Sequence, residues 1–438
     1  MPTGSARRNN IWRLAAMLLL VASFLAACSV NSSNPSGINL SLGLAGSTAD
    51  HPAKPPVIGS GGPSGTFAFV YDNQVWVSSG SSATQLTHLV LSNGSTIAWG
   101  PLLWSPDGTY IAFALAQSTG ASTTMATSGT IYYVNATTGA TVATVATGSI
   151  YGHNYTWYGN DFLVYSSGAG ISMYGPISTG NPRVWTVLSP FDNTGTNAAP
   201  DGGFLQFGDL AITNQNVLFF TRLDLTSLGV SANAGSAAVD YIQMPLLPTD
   251  ITSLDLANSY PLPLGNISRA VDLGQVYTGP SGLFTTGAWQ ISRGGSYLVW
   301  QKVTGVDART GTVTSTYCAS AARYYVCNQQ LFTSATKTSS GDPANISVSP
   351  DGTAASFTSN GLYVQNVDGS GSMRLASAGW LSPATWSPDS KTVAVTRLNK
   401  ATTDANGVTH FNTDVVLFGG GAKGSVFIAG AQNLAWQM

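Results

Sequence analysis

Few side chains in this sequence can carry acid, base, nucleophilic or metal chemistry. There are three Cys, four His and nineteen Asp, and no Glu. Cys28 ends the segment LAAC, and Cys318 and Cys327 bound the segment CASAARYYVC. The His (His51, His88, His153, His410) are scattered, so no H-E-x-x-H zinc signature can form, and no G-x-S-x-G nucleophile turn occurs. Gly419 to Gly424 formally satisfies G-x-G-x-x-G, but the run SVFIAG that follows reads as a strand where a dinucleotide site needs a helix. A hairpin turn is expected there. Asp107, Asp351 and Asp389 recur in one setting: Trp104-Ser105-Pro106-Asp107-Gly108, Ser349-Pro350-Asp351-Gly352 and Trp386-Ser387-Pro388-Asp389. Pro presets the first turn angle, Asp bonds the backbone ahead of it, and Gly takes the positive φ that closes the hairpin. Equivalent turns of separate units are spread apart and do not converge on one ion as a calcium loop does. These Asp are therefore expected to be structural, with no metal and no cofactor. Acid/base work by an Asp pair that meets only in space stays open, as does stacking of a loop Tyr or Trp on a sugar.

Such turns have to be held by strands. Charged residues make up 8% of the chain, against roughly 25% in an average soluble protein. Glu is absent and Lys occurs six times, although both are favoured on exposed helix faces. The 49 Gly, the 10% aromatics and the many Thr, Ser and Val point to strands joined by tight turns. The fold class expected is all-β. After a Ser-Pro-Asp turn come strands such as YIAFAL, TIYYVNATTG and ATVATV, giving four strands per unit. Self-similarity at this spacing is the pattern of a β-propeller.

The W-S-P-D-G units resemble the repeats of TolB-like propellers, also called WD40-like or PD40 repeats, which occur too in relatives of prolyl oligopeptidase. Three units carry the motif well, with Val348 in place of Trp in one of them. Others match in spacing and hydrophobic pattern. Six units fall at 97–145, 153–189, 204–247, 286–335, 344–375 and 384–428. A seventh is assembled from both ends: 66–87 supplies the later strands, and AQNLAWQM supplies the first, stopping with Trp436 at the motif Trp position. The expectation is a seven-bladed propeller of four-stranded antiparallel sheets, its ring closed by pairing of the N- and C-terminal strands over 66–438. Residues 247–285 read as a long excursion between units and a candidate binding surface.

Ahead of this head, Arg7, Arg8 and Arg13 precede an apolar run from Leu14 to Leu25, of secretory length and too short to span a bilayer comfortably. The run ends in small residues before Cys28, which resembles the lipobox of bacterial lipoproteins. The resemblance implies cleavage of residues 1–27 and lipid attachment at Cys28; an ordinary cleaved signal is the alternative. Residues 28–65, rich in Ser, Gly and Pro, read as a disordered tether. In an exported protein Cys318 and Cys327 are expected to form a disulfide across a hairpin, with free thiols the alternative.

The formal net charge is −2 and no basic stripe is present, which argues against nucleic acid as a partner. The resemblance to TolB-like propellers implies an interaction platform. The expectation is therefore a monomeric lipoprotein on the extracytoplasmic face of the bacterial cell membrane, not an enzyme, that binds an unidentified envelope protein or peptide. A carbohydrate-active or glycan-binding propeller is the alternative.

Overall fold

The computed structural model describes residues 55–438 apart from internal stretches, the longest being 191–203, 248–259 and 332–344. Among the described residues every regular element is a strand, save one 3₁₀ turn at Leu264–Asn266. The strands are built from β-branched and aromatic residues that fit a pleated, half-buried surface, as in Phe162–Ser166 (FLVYS) and Val217–Leu225 (VLFFTRLDL).

They form six hydrogen-bonded sheets, ordered along the chain with one exception. The exception joins the first and last of the described strands: Ala83–Gln85, Gln74–Ser79 and Thr66–Tyr71 are continued by Ala431–Trp436. The next sheet pairs Ser95–Trp99 and Leu103–Trp104 with Tyr110–Thr119, then adds Ser128–Asn135 and Thr141–Ser149. Tyr155–Tyr158, Phe162–Ser166, Ile171–Gly175 and Arg183–Leu188 make the third. A nine-stranded sheet follows. Its first half is Phe204–Ile212, Val217–Leu225, Gly235–Gln243 and Ser268–Thr278, with Phe284–Thr285 at the edge. Its second half is Trp289–Ile291, Tyr297–Asp307, Thr312–Ala321 and Gln329–Leu331. The halves meet through one parallel pair, Gly274 with Val303; the other pairings are antiparallel. Asn345–Val348, Ala354–Thr358, Leu362–Asn366 and Met373–Ala376 form the fifth sheet, and Thr385–Trp386, Thr392–Thr403, Thr409–Gly419 and Ala422–Ala429 the sixth.

The core lies between neighbouring sheets. Ile131 and Tyr133 of the second sheet pack against Trp157 and Leu163 of the third. Tyr158 and Phe162 pack on Phe207 and Phe220. Phe67, Phe69 and Trp436 of the terminal sheet pack on Val415, Leu417 and Phe427 of the sixth. The fold is all-β and propeller-like.

Two stretches differ from the sequence expectation. Within 247–285, the run Ser268–Thr278 is the fourth strand of the first half of the nine-stranded sheet, paired with Gly235–Gln243. Its Gly and Asp obscure the strand pattern, yet cross-strand pairing and burial of Val271, Leu273 and Val276 hold it. Ahead of residue 66, Ile58 bridges to Ile428 and the Gly59 N–H donates to the Phe427 carbonyl at 2.7 Å. The end of the stretch expected to be tether thus covers an edge of the sixth sheet.

Candidate functional site

The Ser-Pro-Asp turns are built alike. The Ser hydroxyl donates to the Asp carboxylate at 2.6 Å in Ser105–Asp107, Ser349–Asp351 and Ser387–Asp389. The same Ser oxygen accepts a backbone N–H five residues on, from Tyr110, Ala354 and Thr392. Gly108 and Gly352 have φ of 73°, and Ser390 takes 60° where the third copy lacks Gly. Around Asp107, burial pushes the carboxyl up, but bonds from Ser105 and from the Thr109 N–H and hydroxyl outweigh it and hold Asp107 below the usual range. Asp351 behaves in the same way, and at Asp389 the Ser387 hydroxyl is the leading cause of a lowered value. Asp107, Asp351 and Asp389 sit on three different sheets, and among the described residues no group of three or more acidic, His or Cys side chains is placed to hold a metal ion.

The motif tryptophans link sheets. Trp104 donates its indole N–H to the Ala435 carbonyl at 3.1 Å, and Trp386 donates to Ser347 at 3.2 Å. Trp157, which no Ser-Pro-Asp turn follows, donates to the Leu103 carbonyl at 3.1 Å. In each case donor and acceptor lie on the first strands of consecutive sheets. Trp436 occupies the same position in the terminal sheet and meets Phe67 edge-on, with ring centroids 5.2 Å apart. Cys318 is buried on Thr312–Ala321 opposite Trp300 and Gln330. Cys28 and Cys327 lie outside the described residues.

The first strands also line a pocket of about 190 Å³ that is open to solvent. Four consecutive units contribute: Leu103, then Tyr155 and Thr156, then Asp209 to Ile212, then Trp289 to Arg293. Leu103, Leu210 and Ile291 make its apolar walls, while Asp209, Gln290 and Arg293 supply polar groups. Tyr155 is locked by donating to the Pro101 carbonyl and accepting from the Ala114 N–H, and burial pushes its phenol up.

Asp209 is the unusual residue of this site. Gly208 pairs with Thr221 and Leu210 with Phe220, so Asp209 is the extra residue of a β-bulge, with φ of 23°. Bulges re-aim a side chain, and a non-Gly residue in this region is strained. The buried Trp289 N–H donates to the Thr221 hydroxyl oxygen at 2.7 Å, and that hydroxyl donates onward to Asp209 Oδ2 at 3.4 Å. Indole can only donate, which fixes the first bond, and an ionised carboxylate can only accept, which fixes the second.

No sequence motif named Asp209, Thr221, Trp289 or Arg293. Two signals were present. A Gly-Asp pair interrupts the apolar strand FLQFGDLAI. The unit beginning at Trp289 reads Ser292-Arg293-Gly294-Gly295 where its counterparts read Ser-Pro-Asp-Gly. This divergent turn keeps the architecture, since Ser292 Oγ accepts from the Tyr297 N–H at 3.0 Å and Gly295 has φ of 72°. Arg293 stands in the Pro position and is exposed.

No protein-family model and no curated protein matches this chain. Solved structures similar to it include a puromycin-hydrolyzing peptidase from Mycobacterium tuberculosis at 11% identity and TM-score 0.44, over 73% of this chain and 44% of that one. This chain thus spans less than half the peptidase's length. A periplasmic gluconolactonase from Pseudomonas aeruginosa has 12% identity and TM-score 0.41, over 87% and 98%. A putative TolB from Agrobacterium tumefaciens has 13% identity and TM-score 0.34, over 85% and 93%. The expectation that the head is not an enzyme is corrected by this set, which consists mostly of enzymes: hydrolases, gluconolactonases and an oligogalacturonate lyase. A fold of this kind gives no ground for excluding catalysis.

Proposed function

We propose that this chain is an exported, lipid-anchored protein whose head binds a segment of an envelope protein in the pocket between Tyr155, Asp209 and Trp289. The observation that carries the reading is where the pocket sits. Three of the four units that line it depart from the Ser-Pro-Asp consensus and supply its polar groups, while the fourth, which keeps the turn, adds only the apolar Leu103. At about 190 Å³ it falls below the roughly 300–1,000 Å³ typical of small-molecule sites. Such a volume suits one or two side chains of a protruding segment better than a whole free ligand.

The head in this reading is a seven-bladed closed ring. Support for seven comes from the nine-stranded sheet, whose two halves share a single parallel pair. Support for closure comes from Ala431–Trp436, which pairs with Thr66–Tyr71 and bonds to sheets on both sides: Asn433 Nδ2 donates to the Gly100 carbonyl at 2.9 Å, and the Asn433 N–H donates to Thr396 Oγ1 at 3.0 Å. Cleavage before Cys28 and pairing of Cys318 with Cys327 belong to the same reading.

A photo-cross-linking residue tests it when placed at Arg293, on the pocket rim, and at Met373, exposed on the last strand of the fifth sheet, which contributes no residue to the pocket. In intact cells the Arg293 position is expected to trap a discrete protein that Met373 does not. Identical adducts at both positions, or a glycan adduct at Arg293, would overturn the proposal.

A further inference from the structure

We infer that the Asp209 carboxylate anchors a primary ammonium group on the bound segment. This deepens, and rests on, the binding role proposed for the same pocket. Three features of Asp209 converge. Its backbone is held in a strained conformation at a bulge, which turns the side chain out of the regular alternation of its strand. One carboxylate oxygen accepts from the Thr221 hydroxyl at 3.4 Å, and the donor-only Trp289 indole, bonded to the Thr221 oxygen at 2.7 Å, favours that orientation of the hydroxyl. The carboxylate lines a recess walled by Leu103, Leu210 and Ile291, where a charge interacts more strongly than in open water. An acceptor prepared in this way suits a group with several donors and a positive charge. A primary ammonium has three donors and no acceptor. Arg293, at the exposed rim, can donate only, so it suits the carbonyl oxygens that accompany such an amine in a polypeptide. The amine can be a chain's N-terminal α-amine or a Lys side chain, which share this chemistry.

The test uses the full-length protein in detergent, with the Trp289 indole resonance as reporter and calorimetry for affinity. Four probes separate the sources: trialanine amide, its N-acetylated form, N-acetyl-lysine amide and N-acetyl-norleucine amide. One of the two amines is expected to shift the Trp289 signal and to bind at least tenfold tighter than its uncharged counterpart. Which amine does so names the source. Asp209→Asn is the decisive variant. Asn tolerates positive φ and its side-chain oxygen still accepts from Thr221, so the backbone and relay survive while the charge is lost. An unchanged melting temperature checks this. The variant is expected to lose at least tenfold for the preferred amine and nothing for the uncharged probe. Equal binding of charged and uncharged probes, equal binding by Asp209→Asn, or no binding of either amine overturns the inference. If cross-linking at Arg293 still traps a discrete protein, the pocket reading survives without the ammonium; if it does not, both fall.

Discussion

At the scale of residues, the repeated Asp side chains act as turn builders whose charge matters to stability. Asp107, Asp351 and Asp389 are each held below the ordinary carboxylate value of 3.8 by bonds from Ser, Thr or backbone groups of their own turns. A lowered value in the folded state gives stability that is present above the unfolded value and lost as pH falls through the folded one. Asp240 runs the other way. Burial pushes it up against the pull of Arg222 and Arg269, which bond it at 3.1 and 3.2 Å, so its contribution favours the folded state on the acid side. The lowered groups outnumber it. The head is therefore expected to lose stability as pH drops below about 4. Replacing Asp107, Asp351 and Asp389 together by Asn should flatten that dependence, read as urea midpoints at pH 3 and pH 7. An equally steep acid loss in the triple variant would contradict the assignment.

At the scale of elements, Ala431–Trp436 is the strand on which most depends. It completes the terminal sheet, accepts the Trp104 indole at Ala435, and reaches Gly100 and Thr396 through Asn433. Trp436 is buried against Phe67 and the sixth sheet. Loss of one buried Trp side chain costs about 3–5 kcal/mol, and removal of residues 433–438 also strips a sheet edge and these bonds. That truncation is expected to cost more than the single side chain and to lower the melting temperature, measured by circular dichroism. An unchanged melt would show that the strand is dispensable. The strand was legible because Trp436 repeats the motif position and the first strand was missing from 66–87. The strand Ser268–Thr278 was not legible, because Asp272 and Gly274 interrupt its apolar pattern and its pairing with Gly235–Gln243 exists only in the folded sheet.

At the scale of the whole molecule, the proposed reading makes the protein a lipid-tethered one, a role that the LAAC segment ending in Cys28 would serve. If Cys28 carries lipid, a cell fed radiolabelled palmitate is expected to label the wild type, and Cys28→Ser is expected to lose both the label and partition into the membrane fraction. Label retained by Cys28→Ser would refute the anchor. Composition, turn chemistry and repeat spacing did not fix every unit boundary, since the third unit, read as ending at 247, continues to the strand Ser268–Thr278. They determined the all-β class and the pairing of Thr66–Tyr71 with Ala431–Trp436. Those are local or periodic properties, written wherever Pro, Asp and Gly meet a run of β-formers. The pocket was decided by tertiary structure alone. Leu103, Tyr155, Asp209 and Trp289 are far apart along the chain and have no mutual spacing to read, and their meeting depends on how consecutive sheets pack. The direction of the Asp209 side chain depends on one bulged residue, whose effect exists only once its partner strand fixes the register.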